Sequence, residues 1–195
     1  MKKLSALLLA LCLLLSLCAC TAEKDTPKPT DPPQAPVADS ALALLETVWN
    51  AYPEADKFAV VGGDFSEENM TQDAPGKYSV DDAAALESTF ALPAAQAAQI
   101  DDAASLVHMM NANTFTCGAF HLKSSGERST FADALKTAVL GRQWMCGFPE
   151  TLLIIAAGDY VVSVFGNDEL IQTFKAQFTA AYASAEVLTE EAITF

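Results

Sequence analysis

The segment that decides the fold reads TLLIIAAGDYVVSVF and spans residues 151–165. Residues 151–156 form a continuous apolar run, and residues 160–165 form a second one. The Gly158-Asp159 pair between them suits a two-residue turn, because these residue types tolerate the backbone angles that such turns require. The sequence therefore predicts a β-hairpin at this point.

The segment before the hairpin predicts one strand and one helix. Residues 115–122 have the alternation of a strand, and residues 124–126, Ser-Ser-Gly, turn the chain. Thr130 is the expected cap of a helix that ends near Gly141, or one turn later at Trp144. A strand and a helix thus lead into the hairpin.

The segment after the hairpin predicts a second helix and a last strand over residues 187–195. Asn167 is the expected cap of that helix, and its apolar stripe consists of Leu170, Ile171, Phe174, Phe178 and Tyr182. The order from residue 115 is then strand, helix, strand, strand, helix, strand, which matches a ferredoxin-like plait. We therefore expect an α+β fold in two layers, with an antiparallel sheet and helices on one face.

The first part of the domain predicts two further helices. Ser40 suits the N-cap of a helix that Pro53 ends. Ser79, with Asp82 three residues later, resembles a capping box at the start of the next helix. Residues 94–112 are rich in alanine and leave helix and strand open as alternatives.

The N-terminus predicts an export signal. Lys2 and Lys3 precede residues 4–17, which are apolar except for two serines. This stretch is shorter than the roughly 20 residues that a membrane-spanning helix needs. The following Leu17-Cys18-Ala19-Cys20 resembles the bacterial lipobox, which implies cleavage before Cys20 and a diacylglycerol on that cysteine; an ordinary secretory signal is the alternative.

Residues 20–38 predict a tether. They contain five prolines, which favour an extended polyproline-like chain. The expected organisation is a signal peptide over residues 1–19, a lipidated cysteine and tether over residues 20–38, and one α+β domain over residues 39–195. The expected location is extracytoplasmic, at the cell membrane.

The charge of the chain restricts its partners. The 195 residues carry 25 acidic and 11 basic side chains, a net charge of −14. Loss of residues 1–19 removes two lysines and leaves −16. Because binding of nucleic acid needs a basic face, we expect no nucleic-acid partner. The lipid anchor at Cys20 is the expected link to the membrane.

Two cysteines, Cys117 and Cys146, remain in the expected domain. In a plait the start of the first strand and the end of the first helix lie at the same end of the sheet, so the two can approach and form a disulfide. Two separate buried thiols are the alternative.

A soft-metal site is a second interpretation of the sulfur and imidazole side chains. Thioether, thiol and imidazole suit copper, and the candidate ligands are His108, Met110, Cys117 and His121. Core methionines and hydrogen-bonded histidines are the more common role of such residues. The main expectation is therefore that the protein has no metal or other cofactor.

Residues 141–150, GRQWMCGFPE, are the most distinctive segment. Arg142, Trp144 and Phe148 predict a recognition surface, because aromatic and arginine side chains dominate binding interfaces. In the structural alternative, Arg142 caps the carbonyls of the preceding helix or pairs with Glu150.

The chain has no recognisable catalytic motif: it lacks a GxSxG elbow, a phosphate-binding glycine loop and an EF-hand. We therefore expect a non-enzymatic binding module for an unknown protein or small molecule. A hydrolase with paired carboxylates stays open as an alternative, and it would need a pocket with two carboxylates about 5–10 Å apart.

The segment from about Phe90 to Phe178 resembles an uncharacterised lipoprotein family of anaerobic Gram-positive bacteria, whose shared domain has no known function. The resemblance rests on MMNA at residues 109–112, AFHL at 119–122, Arg142-Gln143, and the hairpin at 158–164. It implies a lipid-anchored envelope protein and carries no catalytic residues over to this chain.

Overall fold

The computed structural model describes residues 37–145 and 147–194. The predicted signal peptide, Cys20, most of the predicted tether and Cys146 lie outside the described residues. Within the described ranges, no helix has both the length and the apolar character needed to cross a membrane.

One antiparallel sheet of eight strands forms the centre of the described domain. Its order is β2-β1-β4-β5-β7-β6-β8, and β3 pairs with β4 beside β1. The strands are β1 (Val60–Gly62), β2 (Thr71–Gln72), β3 (Gly76–Lys77), β4 (Ile100–His108), β5 (Phe115–Leu122), β6 (Thr151–Ala157), β7 (Tyr160–Gly166) and β8 (Glu186–Ala192).

Five helices pack on this sheet. They are α1 (Ala41–Asn50), α2 (Ala83–Phe90), α3 (Ala94–Ala97), α4 (Arg128–Leu140) and α5 (Asp168–Ala181). The mixed α+β class predicted from the sequence is confirmed, as are the hairpin and the strand at residues 115–122.

The helices cover both faces of the sheet, so the expectation of two layers with helices on one face is wrong. On β6, Leu153 and Ile155 belong to a core formed with α1 and α5. Leu152 and Ile154 belong to a second core, formed with α2, α3 and α4. We call these the α1/α5 face and the α2/α4 face.

The strand order also differs from the predicted plait. In a plait the fourth strand lies beside the first, whereas here β8 lies beside β6, the second strand of the unit. The connection from β5 to β6 passes over β7, and the connection from β7 to β8 passes over β6, so both cross the sheet in the same direction. Their starting strands, β5 and β7, are antiparallel to each other. Two right-handed crossovers of this kind place α4 and α5 on opposite faces.

Three local details differ from the sequence expectations. The N-cap of α2 is Asp82, whose Oδ1 accepts bonds from two backbone N–H groups, and not Ser79. Helix α4 begins at Arg128, ahead of Thr130. The open stretch 94–112 contains α3 and then β4, which pairs with β1, β3 and β5.

The sheet has two ends that matter for function. The β6–β7 turn at Gly158-Asp159 marks the hairpin end, where the backbone oxygen of Ala38 accepts a bond from Tyr160 Oη. The β4–β5 and α4–β6 connections lie at the other end, which we call the methionine end. At ~3.4 Å per residue, the eight residues of β5 separate these ends by about 24 Å.

Candidate functional site

Arg142 follows the end of α4 and is half-buried between two helices. Its Nη2 donates a 2.7 Å hydrogen bond to the carbonyl oxygen of Ser88, near the C-terminal end of α2. The guanidinium also lies over the ring of Trp144, 5.0 Å from the ring centre. Burial lowers the pKa of Arg142 from its ordinary value, although a guanidinium stays protonated at any physiological pH.

The Arg142 side chain has a structural contact, but neither of the two that the sequence suggested, the preceding helix or Glu150. The carbonyl that it binds belongs to α2, and the ion pairs of the described residues include no pair with Glu150. Glu150 instead accepts a 2.9 Å bond from the backbone N–H of Asp168, at the start of α5.

Trp144 is packed into the core, in contrast to an exposed recognition residue. Only 9% of it is exposed, and its ring lies 5.0 Å from that of Phe165 in the core of the α2/α4 face. The indole N–H is buried and has no acceptor among the described residues. The ring of Trp144 therefore packs against the guanidinium of Arg142, and little of the ring is exposed to a partner.

Phe148 and Met145 lie on the surface of the methionine end, 63% and 79% exposed. Asn113 joins their loop to the β4–β5 connection, because its Nδ2 donates to the backbone oxygens of Met145 and Gly147 at 3.1 and 3.0 Å. The β4–β5 connection carries Met110, which is 80% exposed.

Two loops therefore present large apolar side chains at one end of the sheet. We define the methionine surface as Met109, Met110, Met145 and Phe148. The expectation of core methionines at 109 and 110 is wrong, since both are exposed. A monomeric protein rarely groups large apolar side chains on its surface unless they contact something.

The four candidate copper ligands do not form one site. His108 lies at the methionine end and His121 at the hairpin end of the sheet. Cys117 is buried in the core of the α1/α5 face, and strand spacing separates it from His121 by about 14 Å. No group of three or more His, Cys, Asp or Glu side chains within residues 37–145 and 147–194 is arranged to hold a metal ion.

Both histidines have structural partners, as the common role of such residues predicts. His108 Nδ1 accepts bonds from the backbone N–H groups of Met110 and Asn111. His121 Nδ1 bonds to Asp101. Each imidazole therefore orders a connection or a strand end.

Cys117 is fully buried and forms no disulfide with another described residue. Burial raises the pKa of this thiol well above its ordinary value, so it is a poor nucleophile. Its predicted partner Cys146 lies outside the described residues, and the disulfide stays a prediction.

A cavity of about 280 Å³ lies beside Arg142. The ends of three helices form it: Glu87 belongs to the last turn of α2, Pro93 precedes α3, and Ala138 lies in the last turn of α4. Ala91, Pro93 and Ala138 give it small apolar walls, and Glu87 and Arg142 are its charged side chains.

A second cavity, of about 230 Å³, lies beside β3 and the start of β4. Its acidic lining consists of Glu68, Asp81, Asp101 and Asp102. Two of these carboxylates have structural partners, since Asp101 binds His121 and Asp102 accepts a 2.7 Å bond from the backbone N–H of Ala41. The cavity has the concave shape that the hydrolase alternative requires, but these two carboxylates anchor α1 and β5.

Sequence reasoning missed Met109, Met145, Asn113 and Glu87. A useful signal was available for the first two, because each lies in a connecting segment within two residues of an asparagine or a glycine, Asn111 or Gly147, and such segments run over the surface. Nothing in the sequence indicated Glu87, which shares a cavity with Arg142 only because the fold brings the ends of α2 and α4 to the same place.

No protein-family model, curated protein or solved structure matches this chain. The resemblance to a lipoprotein family therefore stays a prediction.

Proposed function

We propose that this protein is a lipid-anchored extracytoplasmic binding module that contacts a protein partner through the methionine surface. The observation that carries the proposal is the exposed cluster of Met109, Met110, Met145 and Phe148 on two loops that Asn113 links. Methionine is flexible and polarisable, so such surfaces adapt to a partner.

The distance between Val37 and the methionine surface supports this role. The chain that follows the proposed anchor at Cys20 joins the domain at the hairpin end, where Val37 packs beside Gly158. The methionine surface lies at the opposite end, about 24 Å away along the strands. The attachment of the chain at Val37 therefore does not occupy the methionine surface.

The charge of the domain restricts the partner further. The mature chain carries −16, so long-range attraction favours a basic protein. The partner that fits is thus a protein segment with apolar side chains at its centre and lysine or arginine around them.

The anchor is tested with Cys20→Ala. We expect the wild-type protein in the membrane fraction and the variant in the soluble fraction, with an unchanged circular dichroism spectrum. Retention of the variant in the membrane fraction would contradict the lipid anchor, whatever the fate of the contact surface.

The contact surface is tested by site-specific photocrosslinking in intact cells. A photoreactive side chain at Met110 or Met145 is expected to give the same discrete adduct with a basic protein. The same side chain at Met70, a half-exposed methionine on the β1–β2 loop, is the matched control and is expected to give none.

The variant Phe148→Asp places a charge on the surface and should abolish the adduct from Met110. Adducts of equal strength from Met70 and Met110, an adduct with lipid, or an adduct with a second copy of the chain would each contradict the proposal.

A further inference from the structure

The cavity beside Arg142 holds two opposite charges that do not neutralise each other. Arg142 and Glu87 both line it, yet neither takes part in an ion pair among residues 37–145 and 147–194. Their charged atoms are therefore more than 4 Å apart, the limit for an ion pair. A ligand between them can meet a positive group on one side and a negative group on the other.

Two contacts fix the position of the Arg142 side chain in the absence of a ligand. One N–H of Arg142 binds the oxygen of Ser88, and the ring of Trp144 supports the guanidinium plane. These contacts fix the side chain before a ligand arrives, which reduces the entropy lost on binding. Arginine has five N–H donors, and the described contacts use one for a hydrogen bond.

The remaining walls set the size and polarity of the ligand. Ala91, Pro93 and Ala138 are small and apolar, and the volume of about 280 Å³ is slightly below the range of about 300–1,000 Å³ of pockets for drug-sized molecules. The space therefore suits a ligand of a few heavy atoms with a short apolar group.

We propose that this cavity binds a small α-amino acid as a zwitterion. The α-carboxylate accepts hydrogen bonds from Arg142, the ammonium group faces Glu87, and the side chain contacts Ala138 and Pro93. The site is independent of the methionine surface, so either proposal can fail alone.

The charge pair selects against simpler ligands. Glu87 repels a ligand that carries only a carboxylate, and Arg142 repels one that carries only an ammonium group. Because Glu87 is exposed to solvent, its attraction is screened, and we expect a Kd on the order of 1 mM.

The experiment measures binding by calorimetry and NMR titration, with the protein purified from its host in detergent micelles. The probes are L-alanine, N-acetyl-L-alanine, L-alaninamide and L-tryptophan. N-acetyl-L-alanine keeps the carboxylate and lacks the ammonium group. L-alaninamide keeps the ammonium group and lacks the carboxylate, and L-tryptophan is too large for the cavity. We expect L-alanine to bind about tenfold more tightly than each of the other three.

Three variants test the assignment of groups. Arg142→Gln should abolish binding of L-alanine, and Glu87→Gln should weaken it while it leaves N-acetyl-L-alanine equal or tighter. Ala138→Leu fills the cavity without a change of charge and should also abolish binding. Because Arg142→Gln removes contacts of α2 and can reduce folding, the other two variants keep the proposal testable.

Matched controls are Arg128→Gln, at the start of α4, and Glu46→Gln, on the exposed side of α1. Both should bind L-alanine as the wild type does. No binding of L-alanine at 10-fold the expected Kd, binding that survives Ala138→Leu, or equal binding of L-alanine and N-acetyl-L-alanine overturns the proposal.

Discussion

The α1/α5 face and the α2/α4 face are built from alternate residues of the same strands, yet their polar groups are treated differently. On the α1/α5 face, Tyr182 Oη donates to the oxygen of Leu44 and Trp49 Nε1 to that of Asp73, and Tyr52 Oη alone is left without a partner among the described residues. On the α2/α4 face, the indole N–H of Trp144 and the hydroxyl of Ser163 are both without a partner in the described part of the chain.

This difference shows where the domain leaves room for a ligand. One face is closed by aromatic side chains whose polar atoms mostly bind the backbone. The other face ends in a cavity with a half-buried arginine that has no carboxylate partner among the described residues. This half-buried cation keeps N–H donors that the described contacts do not use and that an anionic group can accept, which is why we assign a ligand to this face.

The largest expected effect comes from removal of a core aromatic on either face. Phe120→Ala on the α2/α4 face and Phe174→Ala on the α1/α5 face should each lower the free energy of unfolding by about 3–5 kcal/mol. Because both cores share the strands, chemical denaturation should show one transition in each variant. Phe65→Ala, at an exposed position, is the control and should change stability by less than about 0.5 kcal/mol. Two separate transitions would indicate that the faces unfold independently.

A smaller loss is expected from Gly118→Ala. The added Cβ would lie 2.7 Å from ring atoms of both Phe120 and Phe90, so the α2/α4 face must shift to accept it. We expect a loss of about 1–3 kcal/mol in denaturation experiments. Gly126→Ala is the control, because its nearest neighbour lies at 3.8 Å. An unchanged stability for Gly118→Ala would mean that this face has free space beyond the Arg142 cavity.

The variant Ser163→Ala is expected to be more stable than the wild type. Its buried hydroxyl has no partner in the described part of the chain and lies at the sheet centre, so its removal should stabilise the fold by up to about 1 kcal/mol. Ser105→Ala is the matched buried serine: its hydroxyl makes two bonds with the backbone of Gly63, and its loss should destabilise. Thermal unfolding of both variants tests this, and a loss with Ser163→Ala would contradict it.

The smallest expected effect is a pH-dependent loss of stability in the variant Glu190→Gln. Hydrogen bonds from Lys175 and then Gln172, both on α5, lower the pKa of Glu190 from its ordinary value of 4.5. Since the folded pKa is the lower one, this contribution is complete above pH 4.5 and is lost as the pH falls through the folded pKa. Glu190→Gln should cost less than about 1 kcal/mol at pH 7, and nothing at a pH below the folded value. Glu46→Gln serves as the control, and an equal effect at both pH values would contradict the prediction.

The local elements of the second half were predictable because their signals are local. The apolar run of β6, the Gly158-Asp159 turn and the pattern of β5 act within a few residues. Strand β4 was not predictable, because an alanine-rich segment becomes a strand here through pairing with β1, β3 and β5.

The arrangement of layers depends on contacts that periodicity does not record. Whether the last strand lies beside β5 or beside β6 decides on which face α5 packs. One signal did exist: a continuous apolar strand such as β6 is typical of strands covered on both faces. The plait prediction did not use it.

The candidate site was predictable only in part. Arg142 and Phe148 are at the surface or close to it, as the composition of their segment indicates. Trp144 is buried, since a large aromatic serves a core as well as an interface. The oxidation state of Cys117 depends on Cys146, and the disulfide stays a prediction.

The positions of Val37 and the methionine surface have a mechanical consequence. They lie at opposite ends of long antiparallel strands, so a pull between the proposed anchor and the proposed partner would run along the strands. Because the force would enter at Val37, ahead of α1, it would first load the packing of Val37 and α1 against the sheet. A domain built this way can hold a partner under tension for as long as its unfolding rate allows.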